Sequence, residues 1–350
     1  SDLFPMAAVL AVPQHLIRLR GVRHGSIVDH RPPRARRNIS ICLLLRPTPW
    51  YLGAGYRTPM YRLCTIVVLL FCAVPREADA QRVTFAGVGD IFFGRAGKEY
   101  GTDAPFRHVA PLLAGRDVVM GNLETPVTAE RRRITKPPCM PKKNNCLTDR
   151  DNEYRRLYFL TFQGRPDAAR LLKEGGFTVL STANNHAEDQ GPEGMLDTLQ
   201  HLNEAGLGAA GTGPTRDDAW TPYIFEKDGV RTGVIAVTTL SNFRPSEKGA
   251  FVAATPFPRI LEVLPERVRR LRPLVDFVVV TLHYSSESTH FAEHREWNLI
   301  RELSAAGADL FIGTHPHVLR GISKEGPMVV FWSMGNFLFD NSKRAWGESG

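Results

Sequence analysis

Residues 83–90 read VTFAGVGD, an apolar run that ends at Asp90. Four further apolar runs also end in side chains that can bind a metal. These runs are DVVMGNLE (residues 117–124), FTVLSTANNH (177–186), DFVVVTLH (276–283) and ADLFIGTHPH (308–317). In open α/β sheets, ligand sites form where strands pass into loops. The repeated pattern therefore predicts a parallel or mixed sheet with a site at the carboxyl ends of its strands.

Segments with a helical pattern separate these runs. The predicted helices are 106–114, 166–176, 193–205, 265–271 and 293–306. Further strands are predicted at 207–210, 223–225, 232–237 and 328–332. Strands that alternate with helices indicate the α/β class.

The side chains at the strand ends share one ligand chemistry. The candidate metal ligands are Asp90, Glu124, Asn185, His283, His315 and His317. Carboxylates, an amide oxygen and imidazoles suit one or two divalent ions such as Mn, Fe, Zn or Mg. Each residue alone also has an ordinary alternative role, as a turn aspartate, a solvated loop glutamate or a core histidine bonded to a carbonyl group.

His315 and His317 stand two residues apart after an apolar strand. In extended chain, side chains at positions i and i+2 project to the same face. Pro316 between them stiffens the backbone. The spacing predicts a preformed pair of imidazoles, and the alternative is a turn with two solvated histidines.

Two residues are candidates for contacts with a substrate. His186 follows Asn185 where a strand becomes a loop, so their side chains diverge, and His186 can protonate a leaving group, a step worth about 10²-fold to 10⁴-fold. Arg95 carries a planar guanidinium that suits phosphate or carboxylate. Alternatively, Asn184, Asn185 or Asp189 caps the helix that follows, and for Asp189 we favour the cap.

The positive charge of the chain is concentrated at its start. The formal net charge is +8, of which residues 1–80 supply +7 from 11 Arg and 4 acidic residues. Residues 81–350 hold 33 basic and 32 acidic residues and are nearly neutral. This balance gives no support to a nucleic-acid partner.

The first 80 residues read as two segments outside the folded domain. Residues 1–59 are rich in Arg and Pro without a sustained period, and we interpret them as an extended gene start or a disordered leader. Residues 60–80 resemble a secretory signal peptide with cleavage near Ala80. Their apolar core of 12 residues at 63–74 is shorter than the roughly 20 of a membrane span. We predict export to the cell envelope, periplasm or exterior, with an uncleaved anchor as the alternative.

Residues 129–158 form a basic insertion of net charge +5 without a helical or strand period. The segment is either a solvated loop or a surface for a polyanion. Cys139 and Cys146 lie within it and form a plausible disulfide of an exported protein.

Six motifs in order resemble one family. They are GDIFFGR (89–95), NLETPVT (122–128), ANNHAEDQGPEG (183–194), LHYSSE (282–287), GADLFIGTHPHV (307–318) and SMGNFLFD (333–340). The set is similar to the bacterial capsule-synthesis family CapA, associated with poly-γ-glutamate production, within the calcineurin-like metallophosphoesterase superfamily. The resemblance covers residues 83–340 and is more specific for the family than for a reaction.

The resemblance implies a two-sheet αββα sandwich of the metallo-dependent phosphatase type, as one domain over residues 81–350. It implies a site for up to two divalent metal ions, with His186 as the acid near the leaving group. Asp90 and His317 would serve one ion and Glu124 would bridge. The other ion would be served by Asn185, His283 and His315.

The sequence departs from the family pattern in three places. The wider superfamily has Asp-x-His in its first motif, whereas this chain has Phe92 at the histidine position, which predicts a weak, exchangeable or empty first metal site. Ser285 stands where the family usually has Gly. The chain also ends soon after Asp340, where family members usually continue, so that closing strands are expected to be missing.

The function implied is that of an exported, metal-dependent phosphoesterase-like protein of capsule, poly-γ-glutamate or cell-envelope polymer synthesis. Its expected partners are an anionic polymer or phosphoester substrate and a capsule-synthesis membrane complex. The alternative is a non-catalytic protein that binds a polyanion during export or attachment.

Overall fold

The computed structural model describes residues 40–41, 83–95, 98–99, 105–130, 161–243 and 249–339. Residues 40–41, 95 and 98–99 are described by their backbone alone. The predicted signal peptide at 60–80, most of the basic insertion at 129–158 and the pair Cys139 and Cys146 lie outside the described residues. Those predictions, and the domain boundaries drawn from them, stay predictions.

The described strands are, in chain order, β1 (Ser40–Ile41), β2 (Thr84–Ile91), β3 (Gly94–Arg95), β4 (Lys98–Glu99), β5 (Val118–Leu123), β6 (Val179–Ser181), β7 (Gly208–Ala210), β8 (Thr212–Gly213), β9 (Tyr223–Lys227), β10 (Val230–Thr238), β11 (Phe251–Val252), β12 (Phe277–His283), β13 (Leu310–Thr314), β14 (Ile322–Glu325), β15 (Met328–Phe331) and β16 (Asn336–Leu338). The described helices are α1 (Ala110–Leu113), α2 (Ala168–Glu174), α3 (Gly191–Glu204), α4 (Arg216–Trp220), α5 (Ile260–Leu271) and α6 (His294–Ala306).

Two sheets carry the fold. In the first, the order is β1-β2-β5-β6-β7, with β16 also paired to β2, and all of these pairs are parallel. In the second, the order is β14-β15-β13-β12-β10-β9, where the four inner strands are parallel and the two edge strands antiparallel. Parallel strands covered on both faces need continuous apolar sequence, and every residue of β12 and β13 is buried.

The two sheets pack face to face, and helices cover their outer faces. Phe85 and Met120 of the first sheet share a core with Val279 and Ile312 of the second. Helices α1, α2 and α3 cover the other face of the first sheet, and α5 and α6 cover that of the second. The layers are therefore helix, sheet, sheet, helix, which confirms the predicted αββα sandwich.

Some local predictions are wrong. The helix predicted to start at Pro265 starts at Ile260, and Pro265 lies inside it. Ile260 and Leu264 are fully buried against the second sheet, so packing outweighs the preference of proline for the first turn. The sequence pattern also missed β14 and β16, which are short and only partly buried.

The segment 1–59, expected to lie outside the fold, contributes one described element. Ser40–Ile41 forms β1, which pairs in parallel with Thr84 and Phe85 of β2. Two residues carry too little pattern to predict a strand. The domain boundary at residue 81 stays a prediction.

Candidate metal centre

The register of neighbouring strands brings the predicted ligands to one edge of the fold. Asp90 of β2 lies opposite both Asn122 of β5 and Asn336 of β16. His283, the last residue of β12, lies opposite Thr314, the last residue of β13. Because parallel strands end on the same side of a sheet, the side chains at these ends share a site.

His283 is the centre of the cluster. Its Nε2 lies 2.8 Å from Oδ1 of Asn185 and 3.1 Å from Nδ1 of His315. The same nitrogen lies 3.6 Å from Oε1 of Glu124. On the other side of the ring, Nδ1 lies 3.1 Å from the hydroxyl of Thr314. That contact fixes the ring and leaves Nε2 to face the cluster.

His317 contacts both carboxylates of the cluster. Its Nδ1 lies 3.3 Å from Oδ2 of Asp90, and its Nε2 lies 3.9 Å from Oε1 of Glu124. The backbone amide of His315 also donates to Asp90, at 3.2 Å. All six predicted ligands thus belong to one connected group of side chains, while their assignment as ligands stays a prediction.

Two sets of three residues have ligand atoms close enough to hold an ion. Glu124, His315 and His317 form one set, and Asp90, Glu124 and His283 form the other, with ligand atoms within 4.8 Å of one another in each. Glu124 belongs to both sets, as expected of a bridging residue. The other members of the two sets differ from the expected assignment of ligands to two ions. His315 belongs to the same set as His317, and Asp90 belongs to the same set as His283.

The Glu124 carboxylate tests whether these residues fit a divalent ion. The side chain is fully buried, and neither of its oxygens accepts a hydrogen bond within the described part of the chain. Leaving a buried carboxylate without hydrogen bonds is costly. A cation would satisfy both oxygens, and the oxygen and nitrogen donors around Glu124 suit a divalent ion. The residues therefore fit the implied metal.

The surroundings shift the pKa values of the cluster's side chains. Burial, reinforced by the nearby Asp90, raises the pKa of Glu124 well above its usual value. Burial lowers the pKa of His283 well below its usual value and, with His317, lowers the pKa of His315 to about 4. Both imidazoles are therefore neutral at pH 7 and keep a lone pair for an ion.

His317 behaves in the opposite way. Burial by itself would lower its pKa, but Glu124 and Asp90 outweigh burial and raise the pKa to about 10. His317 is therefore an imidazolium at neutral pH and compensates part of the negative charge of the two carboxylates. An ion that binds to an imidazole nitrogen of His317 must first displace the proton of that nitrogen.

The two histidines of the GTHPHV motif meet for a different reason from the predicted one. Strand β13 ends at Thr314, and His315 and His317 both have a left-handed backbone, with φ of 96° and 58°. They lie in a turn rather than in extended chain, so the prediction of a strand pair is wrong. Their ring centroids are nevertheless only 5.6 Å apart, and His315 is buried rather than solvated.

His186 forms a pair with Asp189 beside the cluster. Its Nδ1 lies 2.8 Å from Oδ2 of Asp189, and its ring stacks on Phe162 with centroids 3.6 Å apart. Asp189 does not cap the following helix, because the cap position of α3 is Gln190 and no side chain caps it. The predicted cap is therefore wrong for Asp189. It is equally wrong for Asn184 and Asn185.

Phe92 occupies the position where the superfamily pattern has histidine. The side chain is buried and contacts Phe162 edge to face, with centroids 4.5 Å apart, and stacks on Phe339 at 4.7 Å. Phe162 in turn covers His186, and Phe339 lies 4.9 Å from the ring of His317. Position 92, where the superfamily pattern has a histidine ligand, is therefore packed among aromatic rings.

Several polar residues that hold the cluster were missed in the sequence. Asn122 donates to Oδ1 of Asp90 at 2.8 Å, and Asn336 lies 2.8 Å from Nδ1 of His317. Asn184 donates to both Asn122 and the carbonyl of Leu123. Each asparagine lies in a quoted motif, next to a predicted ligand or to a glycine, and that proximity was the available signal.

The structure describes the backbone of two further positions from the sequence analysis, Ser285 and Arg95. Ser285 has φ of 79°, the left-handed backbone that glycine adopts without strain, which accounts for the glycine of the family pattern. Arg95 is placed in β3 by its backbone. Its side chain lies outside the described residues, so its role with an anion stays a prediction.

The same residues lie within a recognised family. The family model of the bacterial capsule synthesis protein PGA_cap matches residues 84–341, a span that includes all six predicted ligands. The chain belongs to this family. Two curated relatives agree with the match: "Capsule biosynthesis protein CapA" of Bacillus anthracis is 31% identical over 276 residues, and "PGA biosynthesis protein CapA" of Bacillus subtilis (strain 168) is 34% identical over 262 residues.

The coverage of the PGA_cap relatives is partial. The aligned regions take in 76% and 72% of this chain and 62% of each relative. The chain therefore spans about three fifths of the length of these proteins.

Solved structures show distant similarity. The 5'-nucleotidase precursor of Thermus thermophilus aligns at 18% identity and a TM-score of 0.34, covering 53% of this chain and 37% of that one. The protein TT1561 of the same organism aligns at 13% identity and a TM-score of 0.35, covering 65% of this chain and 81% of that one. Similarity this weak does not indicate a function for this chain.

Proposed function

We propose that this PGA_cap protein is an exported, metal-dependent hydrolase of the phosphoesterase type that acts on a polymer of the cell envelope. Family membership and the names of the CapA relatives support the link to capsule polymer. The main support for a metal is the buried Glu124, because neither of its oxygens has a hydrogen bond to a described residue and because it belongs to both ligand sets.

The metal would be held by the predicted ligands. Asp90, Glu124, His283, His315 and His317 supply oxygen and nitrogen donors, and Asn185 supplies an amide oxygen beside His283. A bound divalent ion polarises a phosphoryl or carbonyl oxygen and makes bound water more acidic. Mn, Fe, Zn and Mg all accept such donors. Phe92 removes one potential ligand, which supports unequal affinity at a two-ion site.

His186 is proposed as the proton donor to the leaving group. Asp189 accepts a hydrogen bond from Nδ1 and Phe162 stacks on the ring, so the tautomer and the plane of the imidazole are fixed. Nε2 then remains to exchange a proton with the substrate. In phosphoester hydrolysis, the oxygen of water bonds to phosphorus, the bond to the leaving oxygen breaks, and that oxygen takes a proton from His186. The proton that the attacking water loses passes to solvent, and solvent returns a proton to His186.

The substrate class is proposed from the relatives and the chemistry together. A γ-linked glutamate polymer is anionic, and the same polarising ion would serve the hydrolysis or transfer of an amide. A phosphoester of the envelope is the other candidate.

We also propose a location and partners. Export follows from the signal-peptide pattern at 60–80 and suits work on an envelope polymer. Within the described residues, no helix combines the length and the apolar character that a membrane crossing requires. A capsule-synthesis membrane complex is the proposed partner.

Metal analysis and turnover test the proposal together. The purified 350-residue chain would be loaded with Mn, Zn, Fe or Mg, and hydrolysis of phosphodiesters, phosphomonoesters and γ-linked polyglutamate compared with that of His186→Ala. We expect the variant to keep its metal and lose about 10²-fold to 10⁴-fold in kcat. His201→Ala is the matched control, because His201 also pairs with an aspartate, Asp197, but lies on the exposed side of α3.

The outcomes separate the two classes of function. Turnover lost in His186→Ala with metal retained supports the enzyme. Metal bound without turnover of any substrate favours the non-catalytic polyanion-binding protein. Wild-type protein that retains no divalent ion after loading contradicts both the metal and the hydrolase proposals.

A further inference from the structure

A cleft lies beside the candidate metal centre. It is formed by residues of α4, of β11 and of the end of β10, and it is open to solvent. Arg216, Phe251, Asn184, Thr238 and Ser241 are among the residues that line it.

Arg216 is a charged residue of this cleft without an ion pair to any described residue. Its guanidinium carbon lies 4.9 Å from the centre of the Phe251 ring, a cation–π contact that orients the group without using its N–H donors. Arg216 has no hydrogen bond or ion pair with any residue that the structure describes. Its five donors therefore remain available to a ligand.

The other polar side chains of the lining are already engaged. Asn184 donates to Asn122 and accepts from the backbone of His186. The hydroxyl of Thr238 donates to backbone carbonyls, and that of Ser241 donates to the carbonyl of Phe243. Glu188, which also lines the cleft, has an interaction of its own. Arg216 is consequently the group that selects the ligand, and a planar guanidinium selects a carboxylate or another planar anion.

The cleft and the metal centre share a wall. Asn184 lines the cleft and is followed in the chain by Asn185 and His186. Asn242 follows Ser241 of the cleft, accepts a hydrogen bond from Asn185 at 3.2 Å and lies 3.4 Å from Nδ1 of His186. A chain-like substrate can therefore occupy both places, with its reacting group at the metal centre and a neighbouring unit in the cleft.

We propose that the cleft is a subsite for a free carboxylate of the substrate, bound by Arg216 stacked on Phe251. This inference rests on the proposed function, because it assigns to the same site a substrate with a carboxylate on each repeating unit, as in γ-linked glutamate. Arg216 is then a specificity residue that binds the carboxylate of the unit next to the one that reacts.

Binding of a short γ-linked glutamate oligomer tests the subsite without requiring turnover. Calorimetry on the full chain would compare the wild type with Arg216→Ala, and we expect about tenfold weaker binding, the effect of losing one charge-assisted contact. Arg216→Lys should fall between the two, because lysine keeps the charge but not the planar fork. Thermal unfolding of each variant shows whether the fold is intact.

Two matched controls isolate the carboxylate. Arg259→Ala removes an equally exposed arginine that lies outside the cleft and makes no ion pair with described residues, and its affinity should equal that of the wild type. The same oligomer with its α-carboxylates converted to carboxamides should bind weakly to the wild type and show no loss in Arg216→Ala.

Each result decides the proposal. Equal affinity of the wild type and Arg216→Ala, equal losses in Arg216→Ala and Arg259→Ala, or no measurable binding by the wild type would overturn the subsite. A carboxylate-free phosphodiester, given to the wild type, separates this question from the proposed function. Without its hydrolysis, Arg216-dependent binding supports the subsite but not the enzyme, and turnover without Arg216-dependent binding supports only the enzyme.

Discussion

Two buried glutamates of this protein have opposite surroundings. Glu296, in the first turn of α6, lies 3.2 Å from the guanidinium of Arg320 and accepts from the backbone amide of Glu293 with the same oxygen. Neither oxygen of Glu124 has a hydrogen bond from any residue that the structure describes, and imidazole nitrogens of His283 and His317 lie 3.6 and 3.9 Å from its Oε1. Both glutamates are almost completely inaccessible to solvent.

The difference lies in the permanence of the opposing charge. Arginine does not lose its proton in proteins, so Glu296 is compensated inside the fold under all ordinary conditions. Arg320 also donates to Thr289 and Ser285 and thereby fixes the loop that follows His283. Glu124 is opposed by the titratable His317, whose proton a metal ion can replace. The ion pair of Glu296 with Arg320 therefore stabilises the fold, whereas the surroundings of Glu124 suit a bound cation.

The largest effect is expected at Glu124. Glu124→Gln keeps the shape of the side chain and removes its charge, so metal retention should be lost and kcat/KM should fall by on the order of 10³-fold. Without metal, the variant should be no less stable than the wild type, because the removed carboxylate faces Asp90. Elemental analysis, kinetics and unfolding in chelator check this. A variant that keeps full metal content would contradict the bridging role.

A smaller effect, on stability alone, is expected at Glu296. Glu296→Gln leaves Arg320 buried without a countercharge and should destabilise the fold by about 3 kcal/mol, while metal content is retained. The double variant Glu296→Leu with Arg320→Met should recover much of that loss, because well-packed apolar residues often replace a buried ion pair without cost. Denaturant unfolding measures both. If Glu296→Gln lost its metal and kept its stability, the structural role of Glu296 would be contradicted.

The smallest effect is a pH dependence of the metal-free protein. The pKa of His317 is about 10 in the folded protein and about 6.5 when unfolded, so its stabilising charge is fully present below about pH 6.5. That contribution is lost as the pH rises towards 10. His317 is partly exposed, and we expect a loss of roughly 1–3 kcal/mol.

Unfolding in chelator at pH 6.5 and pH 9.5 would measure this loss. His317→Gln should flatten the dependence, and a saturating divalent ion should reverse it because the ion replaces the proton. Stability that rises with pH in the metal-free wild type would contradict the assignment.

The sequence pattern predicted the α/β class and the family resemblance predicted the αββα sandwich, and both are confirmed, whereas several predictions of local geometry are wrong. The apolar runs before Asp90 and His283 have the periods and lengths of buried strands, so their ends were visible in the sequence. His315 and His317 were placed in extended chain but lie in a turn with positive φ. Asp189 was assigned to a helix cap and instead orients His186.

The sequence by itself determined which residue types stand at the ends of the strands, because strand periodicity and ligand chemistry are local properties of the chain. Tertiary structure decided which of them meet. The approach of Glu124 to His283, the pairing of Asn336 with Asp90 and the placement of Arg216 beside the site all join residues far apart in sequence. Packing of two sheets sets these distances, and no short stretch of sequence encodes them.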